Sequence, residues 1–150
     1  MNQIKRQREI IDRLAVDEQL YAIMGDGVYN ASKRHEILSV FKSALMVGKA
    51  EVQRRFEIGG ENTDFGGQVM RGNTFLVDQL VRIIFDVATH RAYPIANKST
   101  SEKLCIVAVG GYGRAELAPF SDVDLMFLIP YKETPYSEQI IEFILYMLWD

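Results

Sequence analysis

Val109-Gly110-Gly111-Tyr112-Gly113-Arg114-Ala115-Glu116-Leu117-Ala118-Pro119-Phe120-Ser121-Asp122-Val123-Asp124-Leu125 is the stretch on which the reading of this chain turns. Before it, residues 104–109 form a short run rich in β-branched side chains; after it, residues 125–129 form another, stopped by Pro130. Each run predicts a strand buried on both faces. Asp122 and Asp124 stand two apart at the mouth of the second strand, so the pleat turns both carboxylates to one side. Two hard oxygen ligands there suit Mg2+, or Mn2+ as its substitute, a cation that keeps waters and is completed by phosphate oxygens. Gly110 and Gly111 let the backbone approach a triphosphate with no Cβ in the way and offer it amide donors. Ser121 adds a hydroxyl donor, and Arg114 is either a phosphate contact or half of a surface ion pair.

The reaction such a site serves is in-line attack on the α-phosphate of a metal-bridged nucleoside triphosphate, with pyrophosphate leaving. The protein's part is to position the reactants and neutralise charge. Alone, a Gly-Gly after a strand is commonly a turn, and an Asp-x-Asp is commonly a solvated loop end. Their joint order, each attached to a buried-type strand, is what points to phosphoryl chemistry.

Outward from this centre the texture is helical. Ile37, Phe41, Ala44, Leu45, Gly48, Val52 and Phe56 recur at helical spacing over residues 32–56, with Ser32 as the expected N-cap. Phe75, Leu76, Leu80, Ile83, Ile84 and Val87 repeat the pattern, and the Gly-rich residues 59–67 between them read as a flexible helix connection. They follow a helix and not a strand, which is the wrong geometry for a phosphate cradle. Residues 1–30 predict only a helical turn or two around Ile10, Ile11 and Leu14. At the other end, Thr134 caps and Pro135 opens a helix that is apolar almost all round, from Ile140 to Trp149. The two helices before Ser101 are expected to lie antiparallel and to cover the α/β part.

Composition bounds the partners. With 150 residues, 48% of them apolar and 25% charged, the chain is sized for one globular domain with a core. A net charge of -3 removes the broad attraction a general nucleic-acid binder needs. Apolar runs at 125–131 and 143–149 fall far short of the roughly 20 residues of a membrane span. Glu9, Asp12 and Arg13 interrupt any apolar stretch after the basic Lys5-Arg6-Gln7-Arg8, so no signal peptide is expected. The single cysteine, Cys105, reads as a small buried hydrophobe in a reduced, cytoplasmic protein. His35 and His90 read as surface or helix-end residues, and Tyr112 and Trp149 as packing residues.

Gly-Gly-x(10)-Asp-x-Asp resembles the signature of the polymerase-β-like nucleotidyltransferase superfamily. Residues 110–125, the tail Pro130-Tyr131-Lys132 and Leu145-Tyr146-Met147-Leu148-Trp149-Asp150 are similar to one branch of it, the PII uridylyltransferase and uridylyl-removing enzymes of bacterial nitrogen regulation. The resemblance implies an α+β fold, with a helical region (1–100) packed on the front part of a polymerase-β-like α/β core (101–150). It implies transfer of UMP from UTP to a tyrosine of the PII protein, with Asp122 and Asp124 as metal-binding carboxylates and Gly110 and Gly111 as the triphosphate pair. Ala115 stands where that branch is expected to have glycine. The superfamily's third carboxylate comes from a later strand, and Glu133, Glu138, Glu142 and Asp150 lie in the wrong element to replace it. The branch's hydrolase and regulatory domains have no counterpart in these residues either. The expectation is therefore an inactive fragment, prone to self-association through its last helix. Two further readings stay open: another nucleotidyltransferase, such as glutamine-synthetase adenylyltransferase or an antibiotic-modifying enzyme, and a non-catalytic interaction module.

Overall fold

Helical spacing of apolar residues becomes helix in a computed structural model of the chain, which describes residues 4, 6–26, 29–58, 64–96 and 99–149. In order come α1 (Gln7–Ile10), α2 (Arg13–Met24), α3 (Arg34–Ile58), α4 (Phe65–Val87), β1 (Cys105–Ala108), a single turn α5 (Gly110–Gly113), β2 (Leu125–Leu128) and α6 (Pro135–Trp149). A π-helical turn, Ala88–Ala92, closes α4. The architecture is α+β: a helical body carrying a two-stranded sheet.

The helical body departs from the sequence expectation in three places. Residues 13–24 form a full helix, capped by Asp12, whose side chain accepts from the amides of Leu14 and Ala15. Its buried stripe is only Val16, Leu20 and Met24, one residue per turn, which is too sparse to stand out against the polar residues between; Leu14 faces solvent. Ser32 is not the cap of the next helix, because Asn30 accepts from its amide and a 3-10 turn, Ala31–Lys33, leads into α3. α4 begins at Phe65, well before its apolar stripe, so Gly66 and Gly67 are helical and not part of a connection. Residues 59–63 of that expected connection lie outside the described residues.

α3 and α4 run antiparallel, since Gly48 meets Leu76 and Val52 meets Gly72. Small residues at these crossings let the two backbones close up. A Cβ on Gly48 would run into the Leu76 side chain and come within 2.9 Å of the Ile10 carbonyl oxygen. One apolar cluster continues from Ile10 and Leu20 through Ile37, Leu76 and Ile84 to Ile140, Phe143 and Ile144 of α6. There the Phe143 ring stands edge-on to Tyr29 and Tyr93 at centroid distances of 5.7 and 6.1 Å.

α6 starts as expected: Thr134 Oγ1 accepts from the Ser137 amide and Ser137 Oγ accepts from the Thr134 amide. It buries one face, through Tyr136, Ile140, Phe143, Ile144 and Met147. The Arg34 guanidinium lies 3.7 Å from the Tyr146 ring centroid, covering part of the flank. Trp149, expected to pack, is 73% exposed. Among the described residues, no helix is long and apolar enough to cross a membrane.

β1 and β2 pair antiparallel, with Cys105 opposite Leu128, Ile106 opposite Phe127, Val107 opposite Met126 and Ala108 opposite Leu125. Ile106 and Phe127 share a face and pack on the helical core, while Cys105, Met126 and Leu128 lie on the opposite, exposed face. The strands are thus half-buried, not buried on both faces, and Cys105 is an exposed thiol. A short β-branched run looks the same in both situations; what differs is whether a second layer lies across the sheet.

Close contact at Gly48 leads to a stability test. Alanine is favoured over glycine inside a helix by about 1 kcal/mol. Gly48→Ala is nevertheless expected to lower stability, by about 1–3 kcal/mol from overpacking against Leu76 and the Ile10 carbonyl. Gly66→Ala, with nothing within 4 Å of the added carbon, is expected to hold or raise it. Urea denaturation of the two variants checks this, and a Gly48→Ala midpoint at or above the parent's contradicts the close-approach account.

Candidate functional site

The loop between the strands is built around one steric fact. The ladder extends one step past β1, with the Val109 amide donating to the Asp124 carbonyl at 3.1 Å, and the chain then turns at Gly110 with φ +60°. A Cβ on Gly110 would lie 2.5 Å from Asp124 Oδ2. The Asp124 carboxylate therefore rests against the Gly110 Cα, a place open only to a residue without a side chain. The first residue of the Gly-Gly pair and the second aspartate of the Asp-x-Asp, read in sequence as partners, are in contact.

α5 then makes one turn, held by the Gly113 amide donating to the Val109 carbonyl at 2.8 Å. Gly113 is needed as well, since a Cβ there would sit 2.6 Å from the Ala108 carbonyl oxygen. Ala115 follows in the left-handed region, φ +60°, with its amide bonded to the Tyr112 carbonyl and the next amide, Glu116, bonded to Gly111. That conformation explains why glycine is the residue expected there. For alanine it costs about 1–2 kcal/mol. Phe120, fully exposed, is a second non-glycine residue at positive φ.

This strained loop is tied to α4. Tyr112 is 3% exposed, and its hydroxyl donates to Asp78 Oδ1 at 2.7 Å. The buried Leu117 amide donates to Thr74 Oγ1 at 3.3 Å, and Asn73 Nδ2 donates to the Leu117 carbonyl at 3.4 Å. Burial, then the Asp78 carboxylate beside it, pushes the Tyr112 phenol far above its ordinary range, so it stays a protonated donor at any working pH. Asp78 and Thr74 escaped the sequence reading. The signal was present: Thr74 and Asp78 are four apart on one face of a helix, and a packed tyrosine needs a partner for its hydroxyl.

From residue 122 to 128 burial alternates, with Asp122, Asp124, Met126 and Leu128 exposed and the residues between them half-buried. Both aspartates accordingly lie on the open face of the sheet. Neither has an ion-pair partner among the described residues. Ser121 is exposed immediately before them, its amide bonded to the Ala118 carbonyl at 3.1 Å. Arg114 points to Glu116, with Nε donating to Oε2 at 3.0 Å, as an exposed ion pair. Gly111 lies inside the α5 turn.

Two exposed carboxylates beside a bare Cα fit a hard divalent cation whose remaining ligands are water and phosphate oxygens. Among the described residues, no group of three or more His, Cys, Asp or Glu side chains could hold a metal alone. Glu133, Glu138 and Glu142 lie at or on α6, where Glu142 approaches Arg34 at 3.8 Å, and Asp150 falls outside the described residues. A groove of about 450 Å³ between α4 and the sheet, lined by Asp78, Arg82, Phe85, Ile106 and Tyr112, does not include the two aspartates.

Known proteins give a consistent kinship. No family model and no solved structure matches the chain. Over 147 residues, 98% of the chain, it is 45% identical to the bifunctional uridylyltransferase/uridylyl-removing enzyme of Rhodospirillum rubrum, of which it covers 15%. It is 46% identical to the protein of the same name from Erythrobacter litoralis, covering 16% of it, and 41% identical to that from Azospirillum brasilense, covering 15%. The chain thus spans less than a fifth of the length of these curated relatives.

The loop geometry predicts opposite effects of two small substitutions. Ala115→Gly relieves the left-handed strain but frees the unfolded chain by about 0.4–1 kcal/mol, leaving a net gain of about 0–1.6 kcal/mol. Gly110→Ala adds that strain and drives a methyl into the Asp124 carboxylate, for an expected loss of about 1–3 kcal/mol. Thermal melts of both variants test this; equal shifts for the two would remove the contact between Gly110 and Asp124 from the account.

Proposed function

From the kinship of this chain with the bifunctional uridylyltransferase/uridylyl-removing enzymes, which runs along 98% of its length, we propose that it carries the front of a nucleotidyltransferase site. In a longer protein that site moves UMP from UTP to a tyrosine hydroxyl of the PII signalling protein. The observation that carries this reading is the seating of Asp124 against Gly110, which unites the phosphate-type turn with the paired carboxylates. Asp122 and Asp124, exposed and without an ion-pair partner among the described residues, are the residues that would hold a Mg2+ ion. The chemistry such an ion would supply there is neutralisation of charge on the triphosphate oxygens and on the leaving pyrophosphate. The open backbone at Gly110 and Gly111 and the Ser121 hydroxyl serve as the phosphate-facing donors, and Arg114 becomes available to phosphate if it leaves Glu116. The tyrosine oxygen forms the new bond to the α-phosphorus as the bond to pyrophosphate breaks.

Two carboxylates leave most of the metal's shell to water and nucleotide, so these 150 residues bind the metal weakly without nucleotide and do not complete the reaction. The third carboxylate of the superfamily has no counterpart among the described residues near Asp122 and Asp124. Loss of such electrostatic stabilisation typically costs about 100-fold or more in rate.

Titration calorimetry with Mn2+ and UTP is expected to give saturable heat for the parent and none for an Asp122→Asn, Asp124→Asn variant. Equal heats from the two remove the assignment. In parallel, residues 1–150 are expected to transfer no detectable label from radiolabelled UTP to PII protein, and robust labelling would mean that a complete site lies within them.

A further inference from the structure

Apart from the strand ladder and the turn bonds to its flanking residues Val109 and Ser121, the hydrogen bonds that join the 110–120 loop to the rest of the protein among the described residues come from one patch of α4: Asn73, Thr74 and Asp78. The loop cannot hold itself in place. α5 is a single turn, two of the loop's residues other than glycine are left-handed, and Arg114 pairs with its near neighbour Glu116. Left-handed alanine and phenylalanine persist where the surroundings over-determine them. Here the surroundings are two tethers four residues apart on one helix face, Thr74 to the Leu117 amide and Asp78 to the Tyr112 hydroxyl.

We infer that this α4 patch, and the Asp78–Tyr112 hydrogen bond above all, is the positioning element of the site, holding the Gly110–Gly111 backbone against Asp124 in the geometry that receives a metal-bound nucleoside triphosphate. The inference rests on the function proposed above and deepens it. Packing alone does not require the bond, because the Tyr112 ring would be buried equally well as phenylalanine. Nor is Asp78 sealed in: it lines the groove between α4 and the sheet together with Arg82, so water can replace the lost hydroxyl. Removing the bond is therefore expected to loosen the loop more than it weakens the fold. The aspartate acts as an acceptor, and asparagine offers an acceptor oxygen in the same place.

The test uses the whole chain. Amide hydrogen exchange without ligand is expected to accelerate about tenfold at the hydrogen-bonded loop amides of Gly113, Ala115 and Glu116 in Tyr112→Phe and in Asp78→Ala, while amides in α3 and α6 keep their parent rates. Asp78→Asn is expected to restore slow exchange. In calorimetry with Mn2+ and UTP, the first two variants are expected to bind about tenfold more weakly, as for partners that orient metal ligands without touching the metal, and Asp78→Asn near the parent value. Unchanged exchange and affinity in Tyr112→Phe overturns the inference, as does acceleration spread equally over α3 and α6. Absence of Mn2+ and UTP binding by the parent overturns the functional reading, while the exchange pattern still decides whether Asp78 and Tyr112 hold the loop.

Discussion

A carboxylate oxygen of Asp124 lies where the side chain of residue 110 would be, and the rest of the loop is arranged so that this overlap can exist. For the two to meet, the ladder must run one step past β1 through the Val109 amide and the Asp124 carbonyl. The chain must then turn through a positive φ, which glycine does without strain. Any larger residue at 110 would push Asp124 off the strand end and separate the backbone amides from the carboxylates. Gly113 repeats the logic one turn later against the Ala108 carbonyl, so the two glycines are fixed by sterics at opposite ends of the turn.

α4 links that loop to the helical body. Its apolar residues Leu76, Leu80, Ile83, Ile84 and Val87 join the core beside α3 and α6. Its polar residues Asn73, Thr74 and Asp78 hold the loop. The same helix thus takes its position from burial on one side and imposes that position on the loop from the other. Close packing at Gly48 and Gly72 matters to the site for this reason: a shift of α4 against α3 would carry Thr74 and Asp78 with it.

Electrostatically the site is open. Asp122 and Asp124 stand exposed without ion-pair partners among the described residues, while arginines of the helical body are already engaged, Arg54 and Arg55 with Glu51 and Arg91 with Asp17, and the loop's own Arg114 pairs with Glu116. The exposed Met126 and Leu128 beside the two carboxylates leave that face accessible. With an overall charge of -3, the function proposed above requires attraction for phosphate at this face to come from a cation held by the two carboxylates and from local amides.

The sequence by itself determined what depends on neighbours along the chain. The glycine turn between two apolar runs, the same-side placement of Asp122 and Asp124, the Thr134 cap and the long helix from Arg34 follow from the two-residue strand period, the 3.6-residue helix period and local hydrogen bonding. The kinship with uridylyltransferases was legible for the same reason, since its motif is contiguous. Only the tertiary structure decided which faces are covered and what the loop leans on. Cys105 and Trp149 are exposed because no described element lies over them, and the strands are half-buried because helices pack on one side of the sheet. The sparse stripe of α2 and the early start of α4 are stabilised by contacts with other helices, which helix propensity does not record. Tyr112 finds Asp78 across 34 positions of sequence. Nothing in either residue's neighbourhood specifies the other; the packing of the β1–β2 sheet, through Ile106 and Phe127, on the core that includes α4 brings them together.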